Sequence, residues 1–380
     1  MIFLFWFSLF MIIYAYLGYP LSLLLISVFR NKVIKYSYDL KTQPVTLLIS
    51  AYNEARVIEE KIRNSLSLDY PKQLLEILVV SDGSNDKTDE IVKRYVDRGV
   101  ILRSYEGRIG KTACLNKAVP SAKGNIIVFS DANSQYDRNA IRELVKHFSD
   151  EEIGFVTGHT KYIGEKGDKV TNSVGIYSKL EKYTKQLESQ IGSCVGADGA
   201  IFAIRKILYK ELSPQDINDL VIPFQIVKQG FRGILEENAF CFERAAKGIS
   251  GEFKRQVRIA NRTIRAIINN FELANPFQYG LFAWQLLSHK LIKMLVPFFL
   301  LILLVTSSVV SGDKPFYLLV FMGQIIAYIF ALIGFFRWKL VRASKLISIE
   351  TTFTVANLAI FIGWMKYIKG EKSITWKVER

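Results

Sequence analysis

Three acids in this chain stand where chemistry is easiest to place: Asp82, Asp131 and Asp219. Asp131 ends an apolar run, 126–129 plus Ser130, and is followed by Ala132 and Asn133. An acid and a side-chain amide at such a rim offer hard oxygen ligands to a divalent cation, which takes its other ligands from phosphate and water. The same triplet, standing alone, also fits an Asx turn closing a strand. Asp82 follows the run 77–81 and precedes Gly83. It is placed to accept hydrogen bonds from a base or ribose, with glycine allowing close backbone approach. The competing reading is a turn that caps a helix beginning near Asp86. Asp219 sits near a helix start, as a cap or as a general base facing a strand-end cleft. Lys111 follows Gly107 and Gly110, a basic residue at a glycine-flanked helix start that suits an anion. The full spacing of a triphosphate-binding loop is absent there, so no nucleotide triphosphatase is read. Arg255, Arg258, Arg262 and Arg265 recur every three or four residues opposite Val257, Ala260, Ile264 and Ile268. That is an amphipathic helix whose guanidinium face meets either anionic lipid or, through its first two arginines, a diphosphate.

The elements that must position these groups can be read from periodicity. The runs 45–50, 77–81 and 126–129 are apolar strands, each finishing in polar or acidic residues and separated by helical patterns. The first run ends in Ala51-Tyr52-Asn53-Glu54. Alternation of this kind predicts an α/β fold with an open, mostly parallel sheet, in which ligands bind outside the carboxyl ends of the strands. Helices are expected over 55–66 and 111–118, and a short strand over 100–102. Residues 151–190 are polar and say little about chemistry. The run 192–200, containing Gly199, is a small-residue stretch against which a flat ligand fits, or a tight junction between elements. A helical pattern from Leu220 to Val227 stops at Gly230.

Composition bounds the class. The 380 residues are 50% hydrophobic and carry a formal net charge of +15. Such a basic excess points to nucleic acid, anionic lipid or phosphate, and no nucleic-acid-binding motif accompanies it. Residues 2–29 carry no charge and are long enough to span a bilayer, without the basic start of a cleaved signal peptide. Two further uncharged tracts, 294–312 and 315–336, read as a transmembrane hairpin, and 351–365 as a tilted span or re-entrant segment. Arg30, Lys32 and Lys35 after the first span, and Arg337, Lys339, Arg342 and Lys345 after the third, place the intervening soluble region in the cytoplasm. The basic tail, with Lys366, Lys369, Lys372, Lys377 and Arg380, fits the cytoplasm as well, which a full fourth span would contradict. Cys114, Cys194 and Cys241 lack paired or metal-ligand spacing and read as buried thiols in a reducing compartment.

Taken together, Ser50-Ala51-Tyr52-Asn53-Glu54, the run 81–88, Gly110-Lys111, Asp131-Ala132-Asn133, Gly199-Ala200 and Asn218-Asp219 resemble the membrane-bound family 2 glycosyltransferases. That family includes the hyaluronan, chitin and cellulose synthases, and the likeness covers about residues 44–265. The resemblance implies a GT-A fold, Rossmann-like and inserted between N-terminal and C-terminal transmembrane helices. It implies a nucleotide-sugar donor, usually a UDP-sugar, and Mg²⁺ or Mn²⁺. By position, Asp82 holds the nucleotide, with Tyr52 and Glu54 around base and ribose, and Lys111, Ala132 and Gly199 join the substrate-binding set. Asp131 matches the first acid of the family's metal motif, and Asn133 replaces its second. Asp219 matches the base, and Asn218 replaces the acid before it. Arg255 and Arg258 fall in the family's Gln-x-x-Arg-Trp motif, where Ile259 takes the place of the tryptophan that stacks on an acceptor sugar.

The resulting expectation is an inverting, metal-dependent transferase at the cytoplasmic face of the cell membrane. Its acceptor is a growing polysaccharide or, alternatively, a lipid carrier or glycolipid; a non-catalytic nucleotide-sugar sensor is the remaining reading. The expected organisation is an anchor at 1–29, a catalytic domain at 44–250 and amphipathic interfacial helices at 251–290. A membrane region of two to three spans at 291–367 and a basic tail at 368–380 complete it.

Overall fold

The apolar runs form the centre of one eight-stranded mixed sheet in the computed structural model, which describes residues 1–39, 43–163, 169–244, 249–336 and 345–372. Val45–Ala51 is β1, Leu75–Asp82 is β2, Val100–Tyr105 is β3 and Ile126–Asp131 is β4. Gln135–Tyr136 is β5, Ile153–Ile163 is β6, Ile201–Arg205 is β7 and Arg232–Arg244 is β8. The strand order is β3-β2-β1-β4-β7-β6-β8-β5. β1 pairs in parallel with both β2 and β4, and β2 in parallel with β3. β7 then runs antiparallel to β4 and β6, so the expected mostly parallel sheet is parallel on one side and mixed on the other.

This topology fixes where a site can form. The chain leaves β1 for β2 on one side and returns to β4 on the other, so a crevice opens at the carboxyl ends of β1 and β4. Register pairs Ser50 with Asp131 and Ala51 with Ser81, which brings the ends of β2 and β4 to either flank of β1. Central strands buried on both faces read as continuous apolar runs, which is why β1 was so visible. Leu47, Leu48 and Ile49 are fully buried, together with Val79 and Val128.

Ile58–Leu66 (α2), Thr88–Lys93 (α3), Lys111–Ser121 (α4), Ala140–Val145 (α5) and Asn218–Lys228 (α7) cover the sheet. Lys169–Ile191 (α6) is a long helix within the region that the sequence left uninformative. The described parts of Phe29–Ile163 and Glu181–Arg244 make up this sheet-based unit.

A second unit comprises the described parts of Met1–Val28, Gly164–Leu180 and Ala245–Lys372. Among the described residues, Ile2–Phe29 (α1), Leu281–Val309 (α9) and a third helix over 315–334 are long and apolar enough to cross a membrane. The second of these begins at Leu281, inside the stretch expected to be interfacial. The third belongs to Pro315–Phe336 (α10). Ile249–Asn269 (α8) buries Val257, Ala260 and Ile264, whereas Ile268, expected on the same face, is exposed. α8 packs on Lys345–Ile368 (α11), where the Asn261 amide donates to the Gly363 carbonyl at 3.3 Å. The expected fourth apolar tract is thus part of a regular 24-residue helix. Arg337, Lys339, Arg342, Lys377 and Arg380, and the side chain of Lys345, lie outside the described residues.

Candidate active site

Asp82 is the last residue of β2 and is 1% exposed. Its Oδ1 accepts from the backbone N–H groups of Ile109 (2.8 Å) and Gly110 (3.0 Å). A carboxylate held by two amides sets the turn that leads into α4 and thereby places Lys111 on the helix's first position. Gly83 explains why this turn admits no larger residue. It has φ +67°, and a Cβ there would lie 2.4 Å from the Gly107 carbonyl oxygen.

Lys111 reaches from α4 to β4. Its Nζ donates to Asp131 Oδ1 at 2.5 Å, and both side chains are partly exposed. Asn133 is half-buried two residues on, and Ala132 between them is buried. Among the described residues, no three His, Cys, Asp or Glu side chains form a self-sufficient metal centre. The donor set at this strand end is one carboxylate and one amide, both hard oxygen donors on a partly open rim. It fits a hard divalent cation that completes its shell with diphosphate and water oxygens.

Asp219 lies in the first turn of α7. Its backbone carbonyl accepts from Ala197 N–H at 2.8 Å, which ties the helix start to the 192–200 run. Burial raises its carboxyl above the usual range; Asp198 pushes the same way, while the Lys111 and Lys185 ammonium groups pull it down. Lys111 therefore acts on two acids at once, bonded to Asp131 and electrostatically coupled to Asp219. Thr112 Oγ1 lies 2.9 Å from Asn218 Oδ1, so the starts of α4 and α7 are stitched together behind these charges. Gly199 packs against this carboxylate: a Cβ there would lie 3.0 Å from Asp219 Oδ2. Gly199→Ala is expected to displace the Asp219 carboxylate by a few tenths of an ångström. Turnover should drop about tenfold with the melting temperature nearly unchanged, since small misplacements at a reacting centre are magnified in rate. Wild-type turnover in that variant would remove Asp219 from the reacting centre.

Tyr52 follows β1, and the Arg108 guanidinium lies 4.0 Å from its ring centroid, an aromatic and a cation presenting flat faces to one another. Asn53 adopts φ +53° and exchanges hydrogen bonds with Asn85 (2.8 and 2.9 Å), which joins the ends of β1 and β2. Glu54 is 7% exposed, and its carbonyl accepts from Val57 and Ile58 at the start of α2. Arg255 and Arg258 lie on α8, in the other unit, where Arg255 forks onto Glu252 with two bonds of 2.8 Å.

One lysine at this end of the sheet had no part in the sequence argument. Lys61, in α2, is fully buried, donates to the Ser134 carbonyl and sits 3.9 Å from the Tyr136 ring centroid. Asn64, one turn on, grips both the N–H and the carbonyl of Tyr136 at 2.9 Å. The turn after Asp131 is thus held from beneath by one helix. Lys61 stands three residues after Ile58, on the buried side, and that spacing was the available signal. Burial pulls its ammonium down to about 7. A base depressed in the folded state binds its proton more weakly there than in the unfolded chain. The penalty is full below about pH 7 and fades as pH rises toward the free-lysine value. Relative to Lys61→Met, the wild-type protein should therefore gain stability between pH 7 and 10 in denaturant titrations; a flat difference would mean that burial leaves the ammonium titrating as a free lysine.

The comparisons with known proteins agree with this geometry. Residues 46–212 match Glycosyl transferase family 2. The poly-beta-1,6-N-acetyl-D-glucosamine synthase of Staphylococcus aureus (strain COL) is 25% identical over 266 residues, covering 63% of this chain and 61% of that protein. The chain therefore spans about three-fifths of the length of that synthase. The probable glycosyltransferase YdaM of Bacillus subtilis (strain 168) is 30% identical over 200 residues, 50% of this chain and 47% of that one. Among solved structures, the mannosyltransferase PcManGT from Pyrobaculum calidifontis, in complex with GDP-Man and Mn²⁺, superposes with a TM-score of 0.71. That match has 20% identity and covers 97% of this chain and 100% of that one, a likeness of fold. Residues 46–212 thus match Glycosyl transferase family 2, and the chain has the GT-A fold.

Proposed function

We propose that this protein is an inverting, metal-dependent glycosyltransferase that moves a sugar from a nucleotide sugar, a UDP-sugar, to an acceptor hydroxyl at the cytoplasmic face of the membrane. The observation that carries this reading is Lys111, bonded to Asp131 and electrostatically coupled to Asp219 at one sheet edge. One carboxylate suited to a cation and one suited to a proton thus share a single ammonium. Tyr52 and Arg108 offer stacking faces to the base, and the turn set by Asp82 supplies the floor. Asp131 and Asn133 would hold the cation, Mg²⁺ or Mn²⁺, and its charge would offset that developing on the departing diphosphate. Lys111 moves with its positive charge along the same diphosphate. Asp219 takes the proton of the acceptor hydroxyl as its oxygen attacks the anomeric carbon from the face opposite the leaving group.

Extension of a polysaccharide is the reading that the similarity to the Staphylococcus aureus synthase supports. Addition of one sugar to a lipid carrier is favoured by a specific residue: Ile259 stands where the family's acceptor-stacking aromatic is expected. Purified protein, Mn²⁺ and a panel of nucleotide sugars test the proposal through release of the nucleoside diphosphate. A ladder of products supports extension, and a single addition supports the lipid-carrier reading. Failure to bind any nucleotide sugar with Mn²⁺ would end both.

A further inference from the structure

We propose that Lys61 is a positioning residue for the cation: by holding the Ser134 carbonyl from beneath, it sets the turn that presents Asp131 and Asn133. This rests on the transferase reading above. Residues 131–134 form a tight turn, closed where the Ser134 N–H donates to the Asp131 carbonyl at 3.3 Å. Both proposed ligands belong to it, Asp131 at its first position and Asn133 at its third. Ser134 is fully buried, and each of its polar groups is engaged in a different direction. The N–H turns back into the loop, the hydroxyl donates to Glu243 on β8, and the carbonyl accepts from Lys61 Nζ at 2.5 Å.

The limb that leaves the turn is fixed by the same helix. Asn64 holds the N–H and carbonyl of Tyr136, and the Lys61 ammonium lies 3.9 Å from the centroid of its ring. Lys61 and Asn64, three residues apart on α2, thus secure alternate residues of one short segment. The Tyr136 hydroxyl in turn lies 2.9 Å from the Phe129 carbonyl oxygen on β4 and 3.0 Å from that of Ala200. Ala200 follows Gly199, which packs against the Asp219 carboxylate. The buried ammonium therefore sits where the cation turn, the end of β4 and the 192–200 run meet.

Packing alone does not call for a lysine here. An apolar side chain of the same length would fill the space without the desolvation that a buried ammonium suffers. What an apolar side chain lacks is a donor at the end of a four-carbon stem. A charge-assisted bond to a carbonyl is stronger than a neutral one, and this one stops the turn from tilting its two ligands. The charge itself repels a cation bound nearby, so the bond and the charge act on cation affinity with opposite signs. That opposition makes the two separable by substitution.

The test uses the full chain in detergent with saturating UDP, and a Mn²⁺ titration followed by electron paramagnetic resonance. Lys61→Met and Lys61→Gln both remove the charge, and only the second keeps an N–H donor for Ser134. Mn²⁺ affinity should fall about tenfold or more in Lys61→Met, the scale for losing a group that orients a metal ligand. Lys61→Gln should keep most of the wild-type affinity. In Lys61→Met, turnover at saturating Mn²⁺ should return to within about threefold of wild type, so the loss lies in the Mn²⁺ required rather than in the limiting rate. A residue that only stabilised the fold would lower the melting temperature of the metal-free protein and leave Mn²⁺ affinity unmoved; that outcome overturns the proposal. Tighter Mn²⁺ binding in Lys61→Met overturns it as well, since the repelling charge would then be all that mattered. So does equal weakening in both variants, which would leave the Ser134 bond without a role. Should Lys61→Met lose its circular dichroism, Lys61→Leu takes its place, and unfolding of both would make Lys61 a structural residue only. Absence of Mn²⁺–UDP binding in the wild type would instead sink the transferase reading itself.

Discussion

Asp219→Asn is expected to leave Mn²⁺–UDP affinity within about twofold of wild type and to lower turnover about 10²- to 10⁴-fold, the range for a lost general base. The amide keeps the size of the carboxylate and the helix start, but it cannot take a proton. The pH profile gives a second reading of the same residue. Burial raises the Asp219 carboxyl, and only its ionised form can act as base. Turnover should therefore fall as pH drops, with its acid limb above the ordinary carboxylate range rather than at it. Undiminished turnover in Asp219→Asn, or an acid limb identical in both proteins, would transfer the base role elsewhere.

Asp131→Ala should have the second large effect. It removes the only charged oxygen donor of the proposed cation site and leaves Lys111 without its partner. With UDP present, Mn²⁺ binding followed by electron paramagnetic resonance should be lost at concentrations that saturate the wild type. Turnover should fall at least 10²- to 10³-fold, the scale of losing one electrostatic stabiliser of the leaving group. Circular dichroism should stay unchanged, because Asp131 is partly exposed at a strand end rather than part of the core. Retained Mn²⁺ affinity in this variant would mean that the cation, if bound, sits elsewhere.

How much of this was legible from residues alone depended on how each element is buried. β1, β2 and β4 lie in the middle of the sheet, covered on both faces, so their apolar runs stood out and their polar ends marked the crevice. β8 was not visible, because Arg232–Arg244 mixes buried Ile234 and Cys241 with Glu236 and Glu237, whose charges are met by His147, Lys146 and Lys182. Its neighbour β6 was hidden for a related reason: Gly154, Gly158 and His159 interrupt the apolar alternation. Buried lysines were the other blind spot. Neither Lys61 nor Lys185 drew a reading from the sequence, and only the fold shows that both residues are buried. Asp82 illustrates the opposite case. Its place beside the crevice was readable, but its bonds to Ile109 and Gly110 span 27 and 28 residues and required the folded turn.

The single ammonium shared between two carboxylates also bears on the order in which ligands arrive. In the proposed mechanism, with Lys111 resting on Asp131, a free cation would compete with a tethered charge already in place, and an incoming diphosphate would be what draws that tether aside. Metal and donor should then enter as one package and depart as one. The enzyme would be a poor chelator between turnovers, and its thirst for manganese would track the local supply of nucleotide sugar.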